Sequence, residues 1–168
     1  MIINSIRLKN FRCFDDSKFS FKKRFVLIEG SNGSGKTSLL EAIHYACYLK
    51  SFRTRQNKEL INFDQKHFFI QIDFDDFSNI NNQIQAGFSA ADGKVVKLNN
   101  KQIQSFKEII SLYKVINISE NDLNIITGGP EERRFFLNES LFLLNPDFVF
   151  KLRKFKQILD QRNAFLFK

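Results

Sequence analysis

The sequence lacks tryptophan and has few of the residues that punctuate or cross-link a chain. Among 168 residues it has seven glycines, two prolines, two cysteines and one methionine. Cys13 and Cys47 are too few for a disulfide framework or a zinc pattern, so we expect reduced thiols. No apolar run approaches the roughly 18–20 residues of a membrane span, and the N-terminus lacks the pattern of a signal peptide. These absences favour an ordinary globular domain.

Acidic residues are also comparatively scarce. Lysine and arginine number 26 against 18 aspartates and glutamates, which gives a formal net charge of +8. Such an excess fits an anionic partner such as nucleic acid. The chain is also rich in Lys, Asn, Ile and Phe, a bias that AT-rich codon usage alone would produce. The charge by itself therefore leaves both explanations open.

Hydrophobic periodicity predicts strands in the first part of the chain. Alternation of apolar and polar residues marks segments near residues 6–9, 19–21, 68–74, 84–90 and 94–98, and a short strand is predicted at 114–118. Residues 91–93 (ADG) and 99–100 (NN) have the composition of turns. The continuous apolar run at 25–29 (FVLIE) predicts a central strand that is buried on both faces.

Helices are predicted next to the glycine-rich loop and toward the end of the chain. From Lys36 onward, apolar residues recur at helical spacing: Leu39, Leu40, Ile43, Ala46 and Cys47. Residues 119–122, Pro130 and the Asn145-Pro146-Asp147 segment each have the composition of a helix start. The last helix carries an apolar stripe among basic residues: Leu152, Phe155, Leu159 and Leu166.

The glycines concentrate in one motif. Residues 30–37 read GSNGSGKT, which matches the phosphate-binding P-loop, and the motif lies between a predicted strand and a predicted helix. Glycines let backbone N–H groups turn inward toward phosphate, and the helix that follows adds the positive end of its dipole. Lys36 is suited to the β and γ phosphates, and Thr37 to Mg²⁺. The nucleotide-binding residues predicted here are Gly30, Ser31, Asn32, Gly33, Ser34, Gly35, Lys36, Thr37 and Ser38.

Other stretches make the chain resemble a known family. SIRLKNFRCF followed by GSNGSGKTSLLEAIHY resembles the start of ABC-type ATPase heads of the SMC and RecF class. The stretches LKSFRT (49–54), ISENDLNIITGGPEERRFFLN (118–138) and LDQRNAFL (159–166) are similar to segments of the RecF recombination-repair family. The likeness covers nearly the whole chain, in the same order.

The RecF resemblance implies an α/β P-loop head. Its first lobe would have a mixed β-sheet and span residues 1–118, followed by the start of a helical arm at 119–168. It implies binding of ATP, Mg²⁺ and DNA, ATP-dependent homodimerisation, and partners of the RecO and RecR type. The implied location is the cytoplasm. The implied roles are DNA replication, recombinational repair and the SOS response. Arg12 would lie near the nucleotide, and a solvated charge at the end of a strand is the alternative.

Two motifs of an ABC-type ATPase head have no counterpart in the sequence. No stretch resembles the signature motif, and no apolar run ends in the paired acids of a Walker B strand. We therefore interpret the chain as an N-terminal fragment of a RecF-like head that binds nucleotide, and whether it hydrolyses ATP stays open. The alternative is a non-hydrolysing nucleotide-binding module that pairs with a separate half or with a full-length head.

A basic cluster follows the P-loop helix. It consists of Lys50, Arg53, Arg55 and Lys58. These residues are candidates for contacts with DNA phosphates, and a solvated loop is the alternative. No arrangement of histidine, cysteine, serine or acids in the sequence suggests a catalytic group.

Overall fold

The structure is a computed structural model that describes residues 2–103, 109, 113–145 and 147–166. Contacts divide the chain into two compact units, residues 1–109 and 110–168. The predicted boundary at 118/119 remains a prediction. No helix in the described part is long and apolar enough to cross a membrane.

The first unit is built on one antiparallel sheet. Its strands are β1 (Ile2–Phe11), β2 (Phe14–Ser20), β3 (His67–Asp75), β4 (Asn81–Ser89), β5 (Gly93–Leu98) and β6 (Lys101–Gln102). They lie in the order β2-β1-β3-β4-β5-β6, and every pairing among them is antiparallel. The strands predicted at 68–74, 84–90 and 94–98 are confirmed, and so is the turn at 99–100, where both asparagines have positive φ.

Helix α1 (Lys36–Tyr48) packs its buried face with the sheet in one core. Phe68 on β3 is at the centre of that core, with its ring centroid 5.1 Å from those of Phe11 and Tyr45. Leu39 and Ala42 of α1 are buried as well. The helix begins where the sequence predicts, but Leu40, assigned to its apolar face, is 46% exposed.

The predicted buried strand at 25–29 is wrong. The segment has no strand pairing with any described residue, and Phe25 and Leu27 are 91% and 82% exposed. An apolar run becomes a buried strand only when neighbouring strands supply hydrogen bonds and a covering layer. The described strands supply neither to this segment. The strand predicted at 114–118 is wrong in the same way, and Ile116 and Ile118 are exposed.

The second unit is helical. Its α-helices are α2 (Asn124–Thr127), α3 (Pro130–Leu144) and α4 (Phe148–Leu166), and a 3₁₀ turn at Glu120–Leu123 leads into α2. The predicted starts near residue 119 and at Pro130 are confirmed. Asp122 accepts hydrogen bonds from the backbone N–H and the hydroxyl of Ser119, and the bond from the N–H is one half of a capping box. Pro146, part of the third predicted start, lies outside the described residues.

Candidate nucleotide-binding site

The P-loop is an exposed turn that leads directly into α1. Gly33 and Gly35 have φ of +84° and +95°, a region that side chains with a Cβ disfavour. Gly35 also lacks room for a side chain. A Cβ there would lie 2.6 Å from Cζ of Phe14 and 2.8 Å from Sγ of Cys13. Glycine at this position therefore lets the loop pack closely against the turn between β1 and β2.

The first turn of α1 has the features of an anion site. Its N-cap, Gly35, provides no side-chain hydrogen bond, and the turn contains no acidic residue. The first N–H groups of a helix have no partner within the helix, and the helix dipole is positive at that end. An oxyanion such as phosphate satisfies both the unpaired donors and the dipole.

Lys36 is held over the start of the loop. Its Nζ donates to the carbonyl oxygens of Gly30 (2.7 Å) and Ser31 (2.8 Å). A lysine ammonium has three N–H donors, so these contacts leave one for a phosphate oxygen. Thr37 is exposed next to it, whereas Ser38 is buried. The hydroxyl of Thr37 is therefore the more accessible of the two to a metal ion, and its metal role remains a prediction.

Arg12 is part of a buried ion-pair network. Its Nε and Nη2 donate to the two carboxylate oxygens of Glu41 at 2.9 and 2.8 Å, and its Nη1 donates to the carbonyl of Glu59 at 2.8 Å. The Glu41 side chain is fully buried, and that of Arg12 is 20% exposed. The alternative of a solvated strand-end charge is thus wrong. The nucleotide contact predicted for Arg12 remains a prediction.

The basic cluster does not form one uniform surface. Arg53 extends toward Glu41, with 3.6 Å between its Nη1 and Oε2 of the carboxylate. Arg55 and Lys58 are exposed. Lys58 lines an open cavity of about 390 Å³, together with Asn62, Lys66 and the tip of the β4–β5 hairpin. Their proposed contacts with DNA remain predictions, as does that of Lys50.

Sequence reasoning missed Glu41 and Ser51. Glu41 interrupts the apolar residues of α1, and a charge at such a position is usually read as part of a solvated face. The useful signal was its spacing: Glu41 precedes Tyr45 by four residues, so both lie on one face of the helix. Tyr45 is fully buried, and a carboxylate on a buried face requires cationic partners.

Comparisons with known proteins agree with this geometry. A family model described as an AAA domain matches residues 5–166. The chain belongs to the AAA domain family. The RecF resemblance is confirmed too: the chain is 35% identical to the DNA replication and repair protein RecF of Prosthecochloris aestuarii over 166 residues. It is 33% identical to that of Acholeplasma laidlawii over 167 residues.

Solved structures confirm the fold class of this RecF-like chain. A structure named as that of the recombination mediator protein RecF-ATPrS superposes with a TM-score of 0.86 at 30% identity, over 96% of this chain and 44% of that one. A structure of an SMC ATPase superposes with a TM-score of 0.67 at 21% identity, over 82% of this chain and 98% of that one. The second likeness shows the fold alone, an α/β P-loop ATPase head.

The RecF-like chain spans less than half the length of these relatives. The matches cover 99% of this chain but only 45% and 46% of the two RecF proteins.

Proposed function

We propose that this RecF-like chain binds Mg-ATP through its P-loop as part of a replication and repair protein of the RecF type. The observation that carries the proposal is the uncapped first turn of α1, with Lys36 held beside it by the carbonyls of the loop. Backbone N–H groups and the ammonium would hold the phosphates, and Thr37 would contribute a hydroxyl to Mg²⁺. One RecF structure that this chain resembles was solved with ATP.

The proposal extends to DNA and to protein partners. The net charge of +8 and the exposed Arg55 and Lys58 suit a DNA phosphate backbone. The remaining expectations follow from the RecF resemblance. They are RecO- and RecR-type partners, a cytoplasmic setting, a role in recombinational repair and the SOS response, and ATP-dependent pairing of two heads. We expect nucleotide binding without appreciable turnover, because the sequence has no Walker B or signature motif.

A second candidate is a nucleotide-binding module that never hydrolyses ATP and pairs with a separate half or with a full-length head. The exposed apolar segment just before the P-loop favours it. Phe25 is 91% exposed and Leu27 is 82% exposed, and large apolar side chains grouped on a surface are typical of an interface. Mixing the chain with a protein that carries the signature and Walker B motifs distinguishes the two candidates. ATP hydrolysis by the mixture would favour the first candidate, and binding to that protein without hydrolysis would favour the second.

Calorimetric titration with Mg-ATP, and with ATP in the presence of EDTA, tests the proposed site. The wild-type chain should bind saturably and require the metal. Lys36→Ala should weaken binding about 100-fold, since it removes a charge-assisted contact to phosphate. Lys23→Ala is the matched control, because Lys23 is an exposed lysine outside the loop. Equal affinity of the Lys36→Ala variant and wild type would refute the P-loop assignment.

DNA binding is tested separately by its dependence on salt. If lysines and arginines neutralise phosphates, the logarithm of the affinity should fall linearly as the logarithm of the salt concentration rises. Arg55→Ala and Lys58→Ala should each make that slope about one unit shallower. An affinity that does not change with salt would contradict the electrostatic account.

A further inference from the structure

A fully buried carboxylate lies on the helix that follows the P-loop. Glu41 is five residues after Lys36 on α1, and its side chain has no exposed surface. Arg12, Ser51 and Arg53 are among the described residues whose side chains reach it. Arg12 donates twice, the hydroxyl of Ser51 donates to Oε1, and Arg53 forms an ion pair with Oε2. Because α1 follows the P-loop directly, the carboxylate and Lys36 belong to the same helix.

The carboxylate joins three segments that are distant in sequence. Arg12 belongs to the turn between β1 and β2, Glu41 to α1, and Ser51 to the loop after α1. Ser51 Oγ also accepts the backbone N–H groups of Arg53 (2.8 Å) and Thr54 (3.1 Å), so it orders the start of the basic cluster. A buried charge is tolerated when its partners are fixed around it. This network therefore sets the position of each partner.

Arg12 is held by its backbone as well as by its side chain. It has φ of +53°, and its N–H donates to the carbonyl of Leu60 at 2.8 Å. Within the described residues, its side-chain contacts with Glu41 and Glu59 use three of the five N–H donors of a guanidinium. Two donors remain on a group that is 20% exposed, which leaves Arg12 able to bind an anion without releasing Glu41.

We propose that Glu41 is a positioning residue that holds Arg12 in place for the phosphates of a nucleotide in the P-loop. The bidentate pair fixes the plane of the guanidinium, as a single contact would not. Arg12 lies next to Cys13, whose Sγ is close to Gly35 of the loop. The spare donors of Arg12 are thus carried by the turn that packs against the P-loop. The inference rests on the proposed nucleotide site.

A double-mutant cycle on Mg-ATP affinity tests the inference. Four proteins are titrated calorimetrically: wild type, Arg12→Ala, Glu41→Gln and the double variant. Glu41→Gln keeps the size of the side chain but loses the charge that orients the guanidinium. It should weaken Mg-ATP binding roughly tenfold in the wild-type background. This change is within the range of interaction energies measured in double-mutant cycles for residues in contact. In the Arg12→Ala background it should change the affinity less than about twofold, because its effect passes through Arg12.

Glu59→Gln is the matched control, since it removes an exposed carboxylate from the same region and leaves the backbone carbonyl that Arg12 uses. It should leave the affinity unchanged. Melting curves show whether each variant is folded. If Glu41→Gln does not fold, Ser51→Ala takes its place in the cycle. That variant removes one donor to Glu41 and should weaken binding about twofold to threefold, again only when Arg12 is present.

Three results would overturn the inference. The first is an additive cycle in folded variants, which would mean that Glu41 stabilises the chain without acting through Arg12. The second is normal affinity of both single variants while Lys36→Ala loses binding. In that case the P-loop site stands and the role of Glu41 fails. The third is absence of Mg-ATP binding by folded wild type, which would refute the proposed function together with this inference.

Discussion

The two units of the molecule contain similar apolar side chains but bury them to very different degrees. In the first unit, Ile6, Leu8, Phe11 and Tyr45 are completely buried between the sheet and α1. In the second unit, α3 and α4 have no buried residue, and Phe155 of α4 is 62% exposed. Apolar content alone therefore does not make a core, because burial requires a second layer. The candidate nucleotide site belongs to the unit that has one.

Removing a large side chain from the core of the first unit should have the largest effect on stability. Phe68 is 2% exposed and contacts three other aromatic rings. Phe68→Ala should lower the free energy of unfolding by about 3–5 kcal/mol, since it removes buried surface and leaves a cavity. Phe155→Ala in α4 should change it by less than about 0.5 kcal/mol. Denaturant unfolding measures both, and equal losses would show that the second unit also has a core.

Disrupting a polar network on the open face of the sheet should lower the stability by an intermediate amount, and that amount should depend on pH. Asp73 accepts hydrogen bonds from Ser5 (2.7 Å) and Gln83 (2.8 Å). Partial burial raises the pKa of Asp73, but hydrogen bonds from Ser5, Gln83 and Gln71 outweigh burial and leave that pKa below its ordinary value. The ionised form is thus favoured in the folded state. Its contribution to stability is present above the unfolded pKa of about 3.9 and is lost as pH falls through the folded value.

Asp73→Asn should therefore destabilise the chain by about 1–2 kcal/mol at pH 7 and by clearly less near pH 3. Urea unfolding at the two pH values measures the difference. Asp75→Asn is the control on the same strand, because Asp75 accepts a single longer bond from Asn81, at 3.2 Å. A loss for Asp73→Asn that is the same at both pH values would contradict the assigned role of the charge.

The smallest effect is expected at the start of the second unit. Asp122→Ala removes the acceptor of both hydrogen bonds from Ser119 and should cost about 0.5–1 kcal/mol of local helix stability. Because the unit has few buried contacts, the loss should stay local. Amide exchange should accelerate over residues 120–127 and stay unchanged in β3. Faster exchange in both places would show that the two units unfold together.

The sequence predicted those parts of the fold that depend on local chemistry. Alternating residues identified β3, β4 and β5, and the ADG turn identified the connection between β4 and β5. GSNGSGKT identified the loop and the start of α1. The segment at 25–29 was predicted wrongly, because an apolar run signals burial only if strands lie beside it, and the described strands do not. The partners of Glu41 could not be predicted, since residues 12, 41 and 51 come together only in the folded chain.

Amide hydrogen exchange with and without saturating Mg-ATP is the decisive test of the nucleotide site, because it compares the two units in one experiment. The account predicts slower exchange at residues 30–38 of the first unit, where backbone N–H groups would hold phosphate. It predicts no change in α4, and much weaker protection at residues 30–38 in the Lys36→Ala variant at the same nucleotide concentration. Unchanged exchange at 30–38 under saturating nucleotide, or protection confined to the helices of the second unit, would contradict it.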